Sequence, residues 1–107
     1  MHTKERTTTV EISAEVSRYA ARLGWLEYVT RMVETACGMF PGAESVCVYL
    51  EDDPEIADLR FVVFEVRVSE LSVDGLVRAQ GRWSDEIRNR LPSPDHYHFV
   101  LGLEPAA

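Results

Sequence analysis

Apolar residues recur at three- and four-residue steps along the first third of the chain: Ile12, Val16, Tyr19, Leu23, Leu26, Val33 and Cys37. That spacing predicts one apolar stripe on a helix, with Ser13 as its N-cap and Gly38 as its stop. Gly24 interrupts the stripe at a cost of about 1 kcal/mol relative to alanine, so a kink or split is expected there. Trp25, Tyr28, Val29 and Met32 widen the apolar face beyond it, as for a helix covered on more than one side. Residues 1–9 are polar and threonine-rich, which predicts a flexible N-terminal arm, or at most an edge strand through "TTTVEI".

The period then changes from helical to twofold. "FPGAE" is turn chemistry, and "SVCVYLE" alternates Val46, Val48 and Leu50 against Ser45, Cys47, Tyr49 and Glu51. After the Asp-Pro turn of "DDPEIAD", "LRFVVFEVRVS" reads as a second strand, joined to the first as an antiparallel hairpin. Ser72 and Asp74 open a second helix, with Val73, Leu76, Val77, Trp83, Ile87 and Leu91 assigned to its buried face and Pro92 after its end. "HYHFVLGLE" closes the chain as a third strand, with Tyr97, Phe99, Leu101 and Leu103 on one face and His96, His98, Val100 and Gly102 on the other.

The order helix-strand-strand-helix-strand predicts an α+β two-layer sandwich. Its sheet is three-stranded and mainly antiparallel, with both helices on one face, in a single domain over residues 10–107. Continuing the strand parity places Cys47, Tyr49, Phe61, Val63, His96, His98 and Val100 on the face away from the helices. That set is too apolar for a face meant only for water.

Composition narrows the partners. The 107 residues carry 18 acidic and 11 basic side chains, a formal charge of −7, which repels nucleic-acid phosphates and favours a protein partner. No run approaches the roughly 18 apolar residues of a membrane span, and the N-terminus lacks the apolar core of a signal peptide, so a cytoplasmic protein is expected. Cys37 and Cys47 form neither a C-x-x-C pair nor a zinc-ligand array, and are read as small apolar thiols in a reducing compartment.

Candidate chemistry is sparse. His96 and His98, at i and i+2 on a strand, are candidate metal ligands, but two imidazoles are too few, and Asp95, Cys47, Glu65 and His2 have no spacing that commits them. Glu51, Asp52, Asp53, Glu55 and Asp58 lack the ligand spacing of a calcium loop and read as a solvated turn. Arg78, Arg82, Arg88 and Arg90 on the second helix are interrupted by Asp85 and Glu86, a mixed-charge solvated face. No nucleophile elbow, phosphate loop, dinucleotide fingerprint or H-E-x-x-H motif occurs, and no cofactor is expected.

Two family patterns come near. "TTTVEISAEVSRYAARLG" resembles the opening of a ribbon-helix-helix repressor, but Ile12 to Gly24 is about one helical turn shorter than that family uses, and residues 40–107 have no counterpart in it. The order of elements is similar to type II KH-like domains, but their G-x-x-G loop between helices does not occur here. No residue role is carried over from either.

The reading is a small acidic interaction module without catalytic machinery, self-associating as a homodimer or binding a protein partner as a regulator or inhibitor of a basic protein. Its candidate interface is Tyr49, Phe61, Val63, His98 and Val100, and the alternative is a metal-binding protein or metal-dependent enzyme built on His96 and His98.

Overall fold

In a computed structural model, residues 8–69, 72–91 and 98–105 are described. Helix α1 spans Ala14–Leu23 and begins where expected, with the Ser13 hydroxyl accepting from the Val16 amide at 3.1 Å. It ends at Gly24, whose φ of 76° lies in the left-handed region. There the Gly24 amide donates to Ala21 O at 3.3 Å and the Trp25 amide to Ala20 O at 2.7 Å. This is the paired closure of a Schellman turn, with Trp25 and Ala20 as its buried apolar contact.

Helix α2, Leu26–Met39, therefore starts with a new rotational phase. Its buried side is Val29, Met32, Thr35 and Ala36. The single stripe expected across Gly24 is corrected accordingly: Ile12, Leu23 and Leu26 are exposed, and Val33 and Cys37 pack only at the margin of the core.

The strands are β1 (Thr9–Ile12), β2 (Ser45–Asp52), β3 (Arg60–Val68) and β4 (Phe99–Pro105), with α3 (Val73–Arg90) between the last two. They form one sheet in the order β1-β2-β3-β4. β1 lies parallel to β2, β2 antiparallel to β3, and β3 parallel to β4. The fold is thus α+β with three helices and a mixed four-stranded sheet, instead of two helices and three mainly antiparallel strands.

Each difference has a physical origin. β1 is the edge strand that "TTTVEI" offered as the alternative to an arm; all four of its residues are exposed, and it is tied to β2 through Thr9 N to Glu44 O and Ser13 N to Val48 O. Of the arm expected over residues 1–9, residues 1–7 lie outside the described segments. β4 is parallel because α3, with 18 residues, is about 27 Å long and β3, with nine, about 30 Å. The helix carries the chain back along the length of β3, so the next strand starts beside β3's beginning.

The sheet consists of two β-helix-β units joined by the β2–β3 hairpin. Their strands run in opposite directions, yet the buried residues of all three helices form one cluster with Val46, Val48, Val62, Phe64, Val66, Phe99 and Leu101 on a single sheet face. With strands in the order β1-β2-β3-β4 and helices on one side, the two crossovers necessarily have opposite hands. One of them is of the rare left-handed kind.

Aromatic side chains run through the core. Tyr19 meets Trp25 edge-on at 5.9 Å, Trp25 meets Phe99 at 5.5 Å, Phe99 stacks on Phe64 at 5.7 Å, and Phe64 meets Trp83 at 5.2 Å. α3 is capped by Ser72, whose hydroxyl accepts from Gly75 N at 3.0 Å, and contributes Ala79, Trp83 and Ile87 to the core, with Leu91 just past its end. Val73 and Val77, expected on that face, are 77% and 65% exposed. At 100° per residue Val77 lies about 160° around the helix from Ala79.

Two glycines separate backbone strain from packing, because a Cβ at Gly24 or Gly81 meets nothing within 4 Å. Gly24→Ala is expected to destabilise by about 1–2 kcal/mol through its left-handed backbone, and Gly81→Ala, inside α3, to stabilise by about 0.8–1 kcal/mol. Urea unfolding of both variants checks the pair; equal and opposite-to-expected shifts would refute the Gly24 turn.

Candidate functional site

The sheet face opposite the helices is built by the pleat of β2, β3 and β4. Tyr49, Val63 and Val100 stand in one row across the three strands, in register. Phe61 lies one position along the same face of β3, opposite Glu51. No helix among the described residues packs on this side, since the helical core residues all lie with the inward set.

The face has two ends of different character. Around Val63, which is only 4% exposed, the flanking side chains close in, with Tyr49 and Phe61 half-buried and Val100 39% exposed. Gly102 leaves the neighbouring position open beside Val63. Toward the other end the face becomes ionic, with Glu65 opposite Cys47 and Arg67 between Ser45 and Glu104. Arg67 pairs with Glu104 at 3.4 Å.

Tyr49 joins the two ends, its hydroxyl donating to Glu65 Oε2 at 3.0 Å. Burial, the bond to Glu65 and the negative charges of Glu65, Glu51 and Glu104 push its phenol up to about 12. Cys47 sits half-buried beside this row, and Cys37 lies on α2, where burial pushes its thiol up. Both are free thiols.

His98 stands apart from the face. It occupies a tight turn at the head of β4, where strand alternation has not begun, and its ring lies 5.4 Å from that of Trp25. Its Nδ1 is 3.2 Å from Arg60 O; a carbonyl only accepts, so Nδ1 carries the proton. His96, the other half of the candidate metal pair, falls outside the described residues. Among the described residues no group of three or more His, Cys, Asp and Glu side chains is placed to hold a metal ion.

The acidic run forms the turn of the β2–β3 hairpin. Asp53 accepts through Oδ1 from the Glu55 and Ile56 amides, both at 2.8 Å, while its own amide donates to Leu59 O at 2.9 Å. Asp58 takes the left-handed conformation that lets the chain reverse, and Asp52 pairs with Arg60 at 3.0 Å. On α3, Arg88 pairs with Asp85 and Arg90 with Glu86, which breaks up the arginine stripe. Trp83 is a core residue whose indole N–H donates to Phe99 O at 3.2 Å.

A second concave surface is not marked by any periodicity. Glu15, Arg18, Tyr19 and Arg22 of α1 and Arg60 of β3 line a pocket of about 390 Å³. The local signal is the i, i+4 pair Arg18 and Arg22 flanking Tyr19; Arg60 joins them only through the tertiary fold. Among the described residues no helix is long and apolar enough to cross a membrane.

The Tyr49 phenol gives a pH signature. Its pKa is raised above the ordinary 10.0 in the folded state. The associated stability is therefore fully present below pH 10 and is lost as pH rises toward 12. Urea titrations at about pH 9.5 and 11.5 should show a loss of stability in the wild type that is smaller in Tyr49→Phe; an equal loss in both would remove Tyr49 as its source. No protein-family model, curated protein or solved structure matches this chain, so its function is read from this geometry.

Proposed function

We propose that this protein is an interaction module that docks a basic protein partner on its open sheet face, as a regulator or inhibitor would. The observation that carries the reading is the apolar row of Tyr49, Val63 and Val100, with Phe61 beside it, bordering the acidic hairpin turn. An apolar centre with a charged rim is the usual anatomy of a protein interface. Glu51, Asp53, Glu55 and Asp58, beside the Asp52–Arg60 pair, make the turn end of that rim negative, which steers and orients a cationic partner.

A second copy of the chain is the other occupant the same apolar row admits, as an isologous dimer. Charge distinguishes the two. Each copy carries −7, so self-association is opposed by repulsion and strengthens with salt, whereas docking of a basic partner weakens with salt.

Affinity capture from the source cells is expected to recover a basic protein at low salt, released as salt rises and lost with Phe61→Asp. Thermal melting verifies that the variant is folded. Sedimentation velocity on the purified chain reads self-association separately. A salt-strengthened dimer that Phe61→Asp dissociates would replace the basic partner with a second copy. Capture unaffected by Phe61→Asp would remove the face from the interaction.

A further inference from the structure

The pocket between α1 and the start of β3 carries a charge pattern opposite to that of the molecule. Arg18 and Arg22 project from one side of α1, and the guanidinium carbons of Arg22 and Arg60 lie 5.6 and 5.8 Å from the Tyr19 ring centroid. The β3 side is braced twice: Asp52 holds the Arg60 side chain at 3.0 Å, and the Arg60 carbonyl accepts from His98. Behind Tyr19, Trp25 makes the edge contact that fixes the ring as the pocket wall.

Arg31, Arg67, Arg88 and Arg90 each have a carboxylate partner. Among the described residues Arg18 and Arg22 have none, and neither do Arg78 and Arg82 of α3, but only Arg18 and Arg22 share a pocket with a further arginine, Arg60, and an aromatic wall. Two unpaired guanidinium groups beside a third repel one another, and an anion between them converts that repulsion into attraction.

We infer that this pocket binds a phosphoryl group. Planar guanidinium forks match oxyanions, and they stay charged at every physiological pH. A carboxylate is satisfied by one fork, whereas a phosphate monoester or inorganic phosphate offers three terminal oxygens and up to two charges, enough to engage forks from both α1 and β3. Among the described residues Glu15 is the only carboxylate lining the pocket, against three arginines. The Tyr19 ring, with the guanidinium groups of Arg22 and Arg60 over it, holds both arginines at the pocket.

The test uses the full chain titrated with inorganic phosphate and with pyrophosphate, against sodium chloride at matched ionic strength. The readout is tryptophan fluorescence, because Trp25 touches the Tyr19 wall and Trp83 lies buried under Phe64 as a constant background. Saturable quenching or enhancement by phosphate but not chloride is expected. Arg22→Gln should weaken it at least about tenfold, as loss of a charge-assisted hydrogen bond requires. Arg82→Gln, in the separate α2–α3 cleft, should leave affinity unchanged. The inference is overturned by the absence of saturation up to about 10 mM phosphate, by equal weakening in Arg82→Gln, or by unaltered binding in the Arg18→Gln/Arg22→Gln double variant. Both α1 arginines are exposed, so the double variant retains the core, and far-UV circular dichroism verifies it.

Discussion

β4 is an edge strand, and its attachment to the rest of the protein depends on α3 as well as on β3. Trp83 and Gln80 of α3 donate to the carbonyls of Phe99 and Leu101, at 3.2 and 3.0 Å, while the Trp83 ring fills the space above Phe64. A buried carbonyl left without a donor costs about 1–3 kcal/mol, so these two side chains seal part of a strand that has no neighbour on its far side among the described residues. Phe99, pinned in this way, links Phe64 to Trp25 and brings α1 and α2 under the same aromatic line. The Schellman turn at Gly24 is what aims Trp25 into that line.

Among the described residues, concentrating the three helices on one face leaves the other face to the pleat alone. Its apolar row and its ionic end follow from the residues that alternate with the core positions of β2, β3 and β4. The same layering sets the two surfaces apart: the sheet face offers shape and apolar area beside negative charge, and the α1 pocket offers positive charge around an aromatic wall. Opposite chemistries on opposite sides of a thin two-layer protein allow two ligands to be held without competing for space.

Much of this was legible in the periodicities. The caps at Ser13 and Ser72, the β2–β3 hairpin, the inward places of Phe99, Leu101 and Leu103 in β4 (Tyr97 lies outside the described residues) and the row of Tyr49, Val63 and Val100 all follow from local patterns of 3.6 and 2. What was not legible depended on non-local geometry. Four residues of alternation leave β1 open between an arm and an edge strand, the phase of α2 is set by the turn before it, and the direction of β4 depends on the length of α3. His98 departs from the outward parity because a pleat cannot be extrapolated past the point where the strand starts. The meeting of Tyr19 with Arg60 has no sequence signature at all.

The opposite hands of the two β-helix-β units rule out an internal rotational symmetry. Objects of opposite hand cannot be superposed by any rotation. The two β-helix-β units are therefore not superposable, despite the balanced arrangement of two parallel pairs about a central hairpin. Their agreement in building a single helical layer reflects a shared need to bury one sheet face, met by two separate routes.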